Sequence, residues 1–265
     1  KHYLDVGIAE ETAVAMASGA AHAGAHVVWG SSATFIQRTY DQLTQDLALN
    51  QNPAVIVGSG SIRGLMAATH QGLSSISMIA NIPNMVYLAP SNAEEYIAML
   101  DWALDQDKHP VYIAIPSGPV VHAEGPVRTN FDDLNIYEVT RQGSKVAVLA
   151  LGDFYDLGEK TVEALSSTLG IEATLVKPYF ASGVDQNLLD NLVKAHNVIV
   201  TIEDGIIEGG WGQNIASYLG TSSARVLNYG VKKAFYDRVN IAELMRESHL
   251  EPELIAEDVK QVLDL

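Results

Sequence analysis

Apolar residues fall along this chain in two alternating patterns. Short, nearly continuous runs read as buried strands, and stretches with an apolar position every three or four residues read as helices. Asp5-Val6-Gly7-Ile8-Ala9-Glu10 is such a run, predicted as a strand that stops on a carboxylate and leads into a small-residue helix over 12–23. Val27-Val28-Trp29, Ala54-Val55-Ile56-Val57, Met85-Val86-Tyr87-Leu88 and Val111-Tyr112-Ile113-Ala114-Ile115 are predicted strands, the last ended by Pro116. Ile36, Tyr40, Leu43 and Leu47 give helical spacing over 35–49, and Ser91-Asn92-Ala93-Glu94 is a capping box that opens a helix to about residue 104.

Residues 119–143 lose this periodicity and carry Pro119, Gly125, Pro126 and Gly143, so they read as a linker. The alternation then restarts, with strands over 145–151, 173–176, 198–202 and 226–229 and helices over 157–169, 188–196, 241–247 and 252–263. Repeated strand–helix alternation implies parallel sheets covered by helices. The expected fold class is α/β, with two doubly wound domains, 1–118 and 144–265, joined by the 119–143 linker.

Charge narrows the function classes. Lys and Arg total 16 against 32 Asp and Glu, a formal charge of −16 that repels nucleic acid and anionic membrane. No run of about 20 apolar residues marks a transmembrane helix. No basic start followed by an apolar core marks a signal peptide. The lack of cysteine removes disulfides, thiolate metal sites and a cysteine nucleophile, and fits a cytoplasmic protein. A phosphorylated substrate needs local basic residues, and before Arg128 the chain offers only Lys1, Arg38, Arg63 and Lys108.

Three features of the first domain lie near predicted strand ends, where parallel α/β sheets place their sites. Glu10 is either a structural acid favoured by a helix dipole or an acid that holds a ligand. Phe35 and Arg38 belong either to a plain amphipathic helix, with Phe35 in its core and Arg38 paired to Asp41, or to a segment offering a ring for stacking and a cation for an anion. His70 is either an idle loop histidine or a proton donor. Gly58-Ser59-Gly60 lacks the basic surroundings of a phosphate-binding loop. Glu203-Asp204-Gly205 and Gly209-Gly210-Trp211-Gly212 read as turn chemistry at the start of a helix.

Together the segments Asp5-Val6-Gly7-Ile8-Ala9-Glu10, Thr34-Phe35-Ile36-Gln37-Arg38-Thr39-Tyr40-Asp41-Gln42, Thr69-His70-Gln71-Gly72 and Ile82-Pro83-Asn84-Met85 are distinctive. In that order and spacing they resemble the pyrimidine-binding domain of the transketolase superfamily, and within it the 1-deoxy-D-xylulose 5-phosphate synthase branch most closely. Val200-Thr201-Ile202-Glu203-Asp204, Gly209-Gly210 and Val226-Leu227-Asn228-Tyr229-Gly230 resemble the C-terminal domain of that branch. The resemblance spans essentially the whole chain and implies a parallel-sheet pyrimidine-binding domain followed by a mixed-sheet C-terminal domain.

It also implies thiamine diphosphate as cofactor. Glu10 matches the family glutamate that hydrogen-bonds the aminopyrimidine and promotes the imino tautomer, which generates the thiazolium ylide. Phe35 matches the aromatic that stacks on that ring, with Ile8 and Ser32 among the cofactor contacts. His70 matches a histidine that assists proton transfer at the substrate, and Arg38 an arginine that contacts the acceptor's phosphate. The superfamily binds Mg²⁺ and the diphosphate in a separate domain with a Gly-Asp-Gly motif, which this sequence lacks. The chain is therefore expected to hold no metal itself. It is expected to be a fragment of a longer polypeptide, starting near the second strand of the pyrimidine domain, or one subunit of a split enzyme. Either way it would work as a homodimer or heterotetramer on small molecules.

The implied reaction forms a carbon–carbon bond by two-carbon transfer. In the synthase version, a step of isoprenoid biosynthesis, pyruvate is decarboxylated and the unit adds to glyceraldehyde 3-phosphate. The alternatives are a transketolase-type subunit with a ketose donor, a 2-oxo acid dehydrogenase β subunit that acylates a lipoyl carrier, and a non-catalytic paralogue. Some positions depart from the synthase pattern. Glu11-Thr12 replace Gln-His, Met66 replaces an acid, Ser32 a tyrosine, and Ser59 and Ser117 two phosphate-binding arginines. Each lost arginine removes charge-assisted bonds worth about 1.5–3 kcal/mol. Arg63, in the same loop, is the candidate replacement.

Overall fold

The computed structural model describes residues 3–65, 67–115 and 118–264, so the Met66 and Ser117 replacements lie outside the described residues. The first domain opens without a strand, which corrects the reading of 5–10. Residues 3–9 are irregular, Gly7 sits at φ +68°, outside the strand region, and Ile8 is 93% exposed. The apolar run is real, but among the described residues no strand lies beside it to bury it. Glu10 is instead the first residue of helix α1 (Glu10–His22), whose Ala13, Val14, Ala17 and Ala21 pack inward.

Strands β1 (Val28–Ser32), β2 (Val55–Ser59), β3 (Val86–Leu88) and β4 (Val111–Ile115) form a parallel sheet in the order β1-β2-β4-β3. The inner strands are buried on both faces, as continuous apolar runs require. The expected single helix over 35–49 is a succession of short turns. These are α2 (Ala33–Ile36), a 3₁₀ turn (Gln37–Thr39), α3 (Tyr40–Gln42) and a π turn (Leu43–Ala48). Ile36, Leu43 and Leu47 are still fully buried, so the spacing found the inward stripe although the winding is irregular. Helix α4 (Ser75–Ile79) follows the loop that carries His70. In α5 (Ala93–Asp105) the capping box lies one residue later than predicted. Asn92 accepts from the Glu95 amide at 2.8 Å, and Glu95 accepts from the Ser91 amide at 2.8 Å.

The second domain contains β5 (Glu138–Arg141), β6 (Lys145–Ala150), α6 (Tyr155–Leu169), β7 (Thr174–Lys177), α7 (Gln186–Ala195), β8 (His196–Ile206), α8 (Trp211–Tyr218), β9 (Arg225–Val231), α9 (Ile241–Glu247) and α10 (Pro252–Val262). Its sheet runs β5-β7-β6-β8-β9, with β5 antiparallel and the rest parallel. Strand β5 lies inside the stretch predicted as linker. All four of its residues are exposed, so this edge strand carries no apolar alternation to betray it. The irregular residues before it are anchored by fully buried Phe131, with the Arg128 guanidinium 5.1 Å from its ring centre.

The two sheets meet at the C-terminal ends of their parallel strands. Leu88 bridges to Phe180, the Ala89 amide donates to the Tyr179 carbonyl at 2.8 Å, and the Ala181 amide to the Tyr87 carbonyl at 3.0 Å. Tyr87 and Ala89 share one buried cluster with Leu149, Leu151, Val176 and Ala181. A cavity of about 30 Å³, room for one water molecule, lies at this junction among Gly60, Tyr87, Gly152, Asp153 and Asp204.

Candidate active site

The first turn of α1 presents free amides and the positive end of the helix dipole, and Ala9 supplies no side-chain cap. Glu10 occupies that position and is only 9% exposed. Its Oε2 lies 3.4 Å from Arg38 Nη1. Arg38 therefore reaches across to α1, 28 residues back in sequence, instead of pairing with Asp41 as the amphipathic-helix alternative required. The guanidinium side of this pair is 55% exposed, so its net contribution to stability is small, about 0–1 kcal/mol. Its effect is to aim and charge-balance a nearly buried acid.

Phe35 lies three residues before Arg38 on the same helical segment. It is 38% exposed rather than a core residue, because α2 starts directly off the end of edge strand β1. Its ring centre is 5.4 Å from that of His70, with the planes at 86°, an edge-to-face contact. Several bonds hold the two rings in this relation. The Thr34 hydroxyl donates to the Thr69 carbonyl at 3.2 Å, Gln37 donates to Ser74 Oγ at 3.2 Å, and Thr69 Oγ1 lies 2.9 Å from His70 Nδ1. Gly72 permits the closure. Its φ is +62°, and a Cβ there would come within 2.8 Å of Ala33 Cβ.

One stretch, Ser32 to Arg38, thus joins the Glu10 acid to the His70 loop. Ser32 stands at its start, where its hydroxyl donates to the Ser59 carbonyl at 3.5 Å. Ile8 lies two residues before Glu10 and faces solvent. A nearly buried carboxylate, an accessible aromatic face and an exposed imidazole are the donor set that suits a flat heteroaromatic ring with a protonatable nitrogen.

Arg63 is drawn elsewhere. Its Nη2 donates to Asp156 Oδ1 at 2.9 Å and its Nη1 to the Asp153 carbonyl at 3.2 Å, while the guanidinium lies 4.9 Å from the Phe154 ring centre. These partners belong to the second domain, so Arg63 joins the domains with its charge already balanced. It borders a groove of about 900 Å³ whose lining includes Lys177 and Tyr155 but not Glu10, Phe35 or His70. Among the described residues no cluster of His, Asp or Glu is arranged to hold a metal ion, and no helix is long and apolar enough to cross a membrane.

Two adjacent acids at the domain junction, buried Glu203 and half-buried Asp204, escape a reading as turn chemistry. Glu203 accepts from the Trp211 amide at 2.8 Å and the Gly212 amide at 2.9 Å, closing the N-terminus of α8. Burial pushes its carboxyl up to about 7 against the pull of those amides. A Cβ on Gly210 would come within 2.6 Å of both Glu203 oxygens, so glycine is required there. Asp204 Oδ1 accepts from the Ile62 amide at 2.7 Å, and burial likewise pushes its carboxyl up to about 7. Adjacent acids ending a continuous apolar strand are the sequence signal. Their burial depends on partners as far as 142 residues away.

Residues 1–120 match the transketolase pyrimidine-binding domain, and residues 137–255 match the transketolase C-terminal domain. The chain belongs to the transketolase superfamily. The 1-deoxy-D-xylulose-5-phosphate synthase of Clostridium tetani is 32% identical over 98% of this chain and 42% of its own length. That of Pseudoalteromonas translucida is 39% identical over 88% of this chain and 37% of its own length. The chain thus spans about two fifths of the length of these curated relatives. A split-gene transketolase, described as an inactive β4 tetramer, superposes with a TM-score of 0.81 at 22% identity over 99% of this chain and 84% of that one. A transketolase of Pichia stipitis gives 0.78 at 18% identity over 95% and 36%. These neighbours share the transketolase fold with its parallel sheet followed by a mixed sheet. Within this transketolase-type chain, Glu10, Arg38, Phe35 and His70 gather in the pyrimidine-binding domain, and Glu203 and Asp204 lie in the C-terminal domain.

Proposed function

We propose that this chain is the pyrimidine-binding part of a thiamine diphosphate-dependent transferase that forms a carbon–carbon bond by two-carbon transfer, with pyruvate as donor and glyceraldehyde 3-phosphate as acceptor. The observation that carries the proposal is the nearly buried Glu10 carboxylate, tied through Arg38 to the helical segment that sets Phe35 against His70. Similarity to synthases along 98% of the chain favours the synthase branch.

The donor set of Glu10, Phe35 and His70 fits the pyrimidine end of the cofactor. When bound, thiamine diphosphate supplies an electron sink for a carbanion. The residues of this chain bind, orient and move protons. The Glu10 carboxylate holds a proton against a ring nitrogen, in a dry setting that costs little reorganisation. Phe35 gives the ring a face, and Ser32 and Ile8 are its further proposed contacts. His70 exchanges a proton at a substrate oxygen, and Arg38 meets the acceptor's negative charge. Mg²⁺ and the diphosphate fall to a domain carrying Gly-Asp-Gly, in the same polypeptide or in a partner subunit of a cytoplasmic dimer or heterotetramer.

A transketolase subunit with a ketose donor is the second reading, favoured by superposition on 84% of a split-gene transketolase chain. Labelled pyruvate separates the two once the chain is assembled with its diphosphate-binding domain. Carbon dioxide release dependent on glyceraldehyde 3-phosphate supports the synthase. Two-carbon transfer from a ketose with no carbon dioxide selects the second reading, and neither activity removes both.

A further inference from the structure

The stretch between Gly60 and Leu73 carries His70, and its described residues are held by the second domain at both ends and beside His70. At its start the Ile62 amide donates to Asp204 Oδ1 at 2.7 Å, and the Ser61 side chain hydrogen-bonds the same carboxyl. Arg63 follows, bound to Asp153 and Asp156. On either side of His70, the Ala68 amide faces Asp237 Oδ1 at 3.4 Å and the Gln71 side-chain amide donates to the Tyr236 carbonyl. At the end of the loop the Ile206 amide donates to the Leu73 carbonyl at 3.2 Å. From the first domain the same loop receives the Thr34 bond and the Phe35 ring.

The shortest of the backbone anchors, at 2.7 Å, is the one to Asp204. Asp204 is half-buried and lines the junction cavity together with Gly60 and Asp153. A half-buried carboxyl that accepts a backbone amide holds that amide's position, because leaving either group unpaired carries a desolvation cost.

We infer that the C-terminal domain is the positioning frame of the His70 loop and that Asp204 is its principal positioning residue, acting through the Ile62 amide and not on the substrate. The inference rests on the proposed role of His70. Displacing the loop moves the imidazole relative to Phe35 and Glu10 while leaving the cofactor contacts of Glu10 and Phe35 intact. A misplacement of this kind lowers turnover more than binding.

The experiment uses the enzyme complete with its diphosphate-binding domain and compares Asp204→Ala, Asp204→Asn and Gln71→Ala with the parent. Asp204→Ala is expected to lower kcat by roughly ten- to a hundredfold with the donor KM unchanged. Asp204→Asn retains an acceptor oxygen and is expected to restore most of kcat. Amide exchange over 60–73 is expected to quicken in Asp204→Ala and not in Asp204→Asn. Gln71→Ala, which leaves the buried junction untouched, is expected to show the same kcat-selective loss and serves if Asp204→Ala fails to fold. An unchanged kcat in Asp204→Ala or in Gln71→Ala, or equal losses in Asp204→Ala and Asp204→Asn, overturns the inference. Glu10→Gln is measured in parallel. If it retains turnover, the functional reading fails, and the exchange data alone decide whether Asp204 holds the loop.

Discussion

Arg38 Nη1 lies 3.4 Å from Glu10 Oε2, so a largely solvated cation is the partner of a nearly buried acid. The pair ties α1 to the segment that carries Phe35. Arg38→Ala is expected to leave the unfolding free energy within about 1 kcal/mol of the parent, because the guanidinium is largely solvated. The same change is expected to reduce turnover and raise the acceptor KM. Thermal melts and steady-state kinetics on the same preparations check both. A large stability loss with unchanged kinetics would place the pair in the fold and not in the site.

Phe35 keeps more than a third of its surface open although it meets His70 edge to face. Phe35→Ala is therefore expected to spare the fold and to weaken cofactor binding by about threefold to tenfold, the worth of one aromatic contact. Phe35→Tyr is expected to bind as the parent does. Titration calorimetry reads the difference, and parental affinity in Phe35→Ala would show that the ring is no binding face.

How much of this was legible in the sequence depends on where each residue finds its partner. Strand β4 and helix α9 lie at the boundaries that the sequence indicated, because local features define both: burial over most of β4, and in α9 the Asn240 cap that accepts from the Ala242 and Glu243 amides. The 5–10 run reads the same way yet stays irregular, since burial needs a neighbouring strand and spacing does not reveal whether one exists. Glu10, Phe35 and His70 stand out only in combination. The Arg38–Glu10, Arg63–Asp156 and Asp204–Ile62 contacts bridge 28, 93 and 142 residues, beyond any periodicity.

Arg63 joins the domains through Asp153 and Asp156. Burial works against its charge, but Asp156, Asp153 and Asp204 together outweigh that cost and push its guanidinium up. Arg63→Met is expected to lower stability by about 1–2 kcal/mol, discounted for partial solvation, with little change in the acceptor KM. Urea midpoints and kinetics test this. A raised KM at parental stability would return Arg63 to the substrate.

Burial holds the Glu203 and Asp204 carboxyls up at about 7. Asp204 faces Asp153, which pushes it further up, while Arg63, the Ile62 amide and the Ser61 side chain pull it down. Between the ordinary carboxyl range near about 4 and the folded value, the native state keeps protons that the unfolded chain has released. Their contribution to stability is full below that window and is lost as pH rises through it. Asp204→Asn, which does not titrate, is expected to make the decline in urea midpoint shallower between about pH 4.5 and about 7.5. Parallel declines in parent and variant would contradict the assignment.

If Glu10 is the acid that works on the pyrimidine, turnover by Glu10→Gln in the fully assembled enzyme shows it most directly. The amide preserves the shape and the oxygen facing Arg38 but cannot exchange the proton. Turnover is expected to fall by roughly a hundredfold or more, with the melting temperature and the Asp204-dependent exchange of residues 60–73 unchanged. Undiminished turnover in a folded Glu10→Gln enzyme would contradict the account.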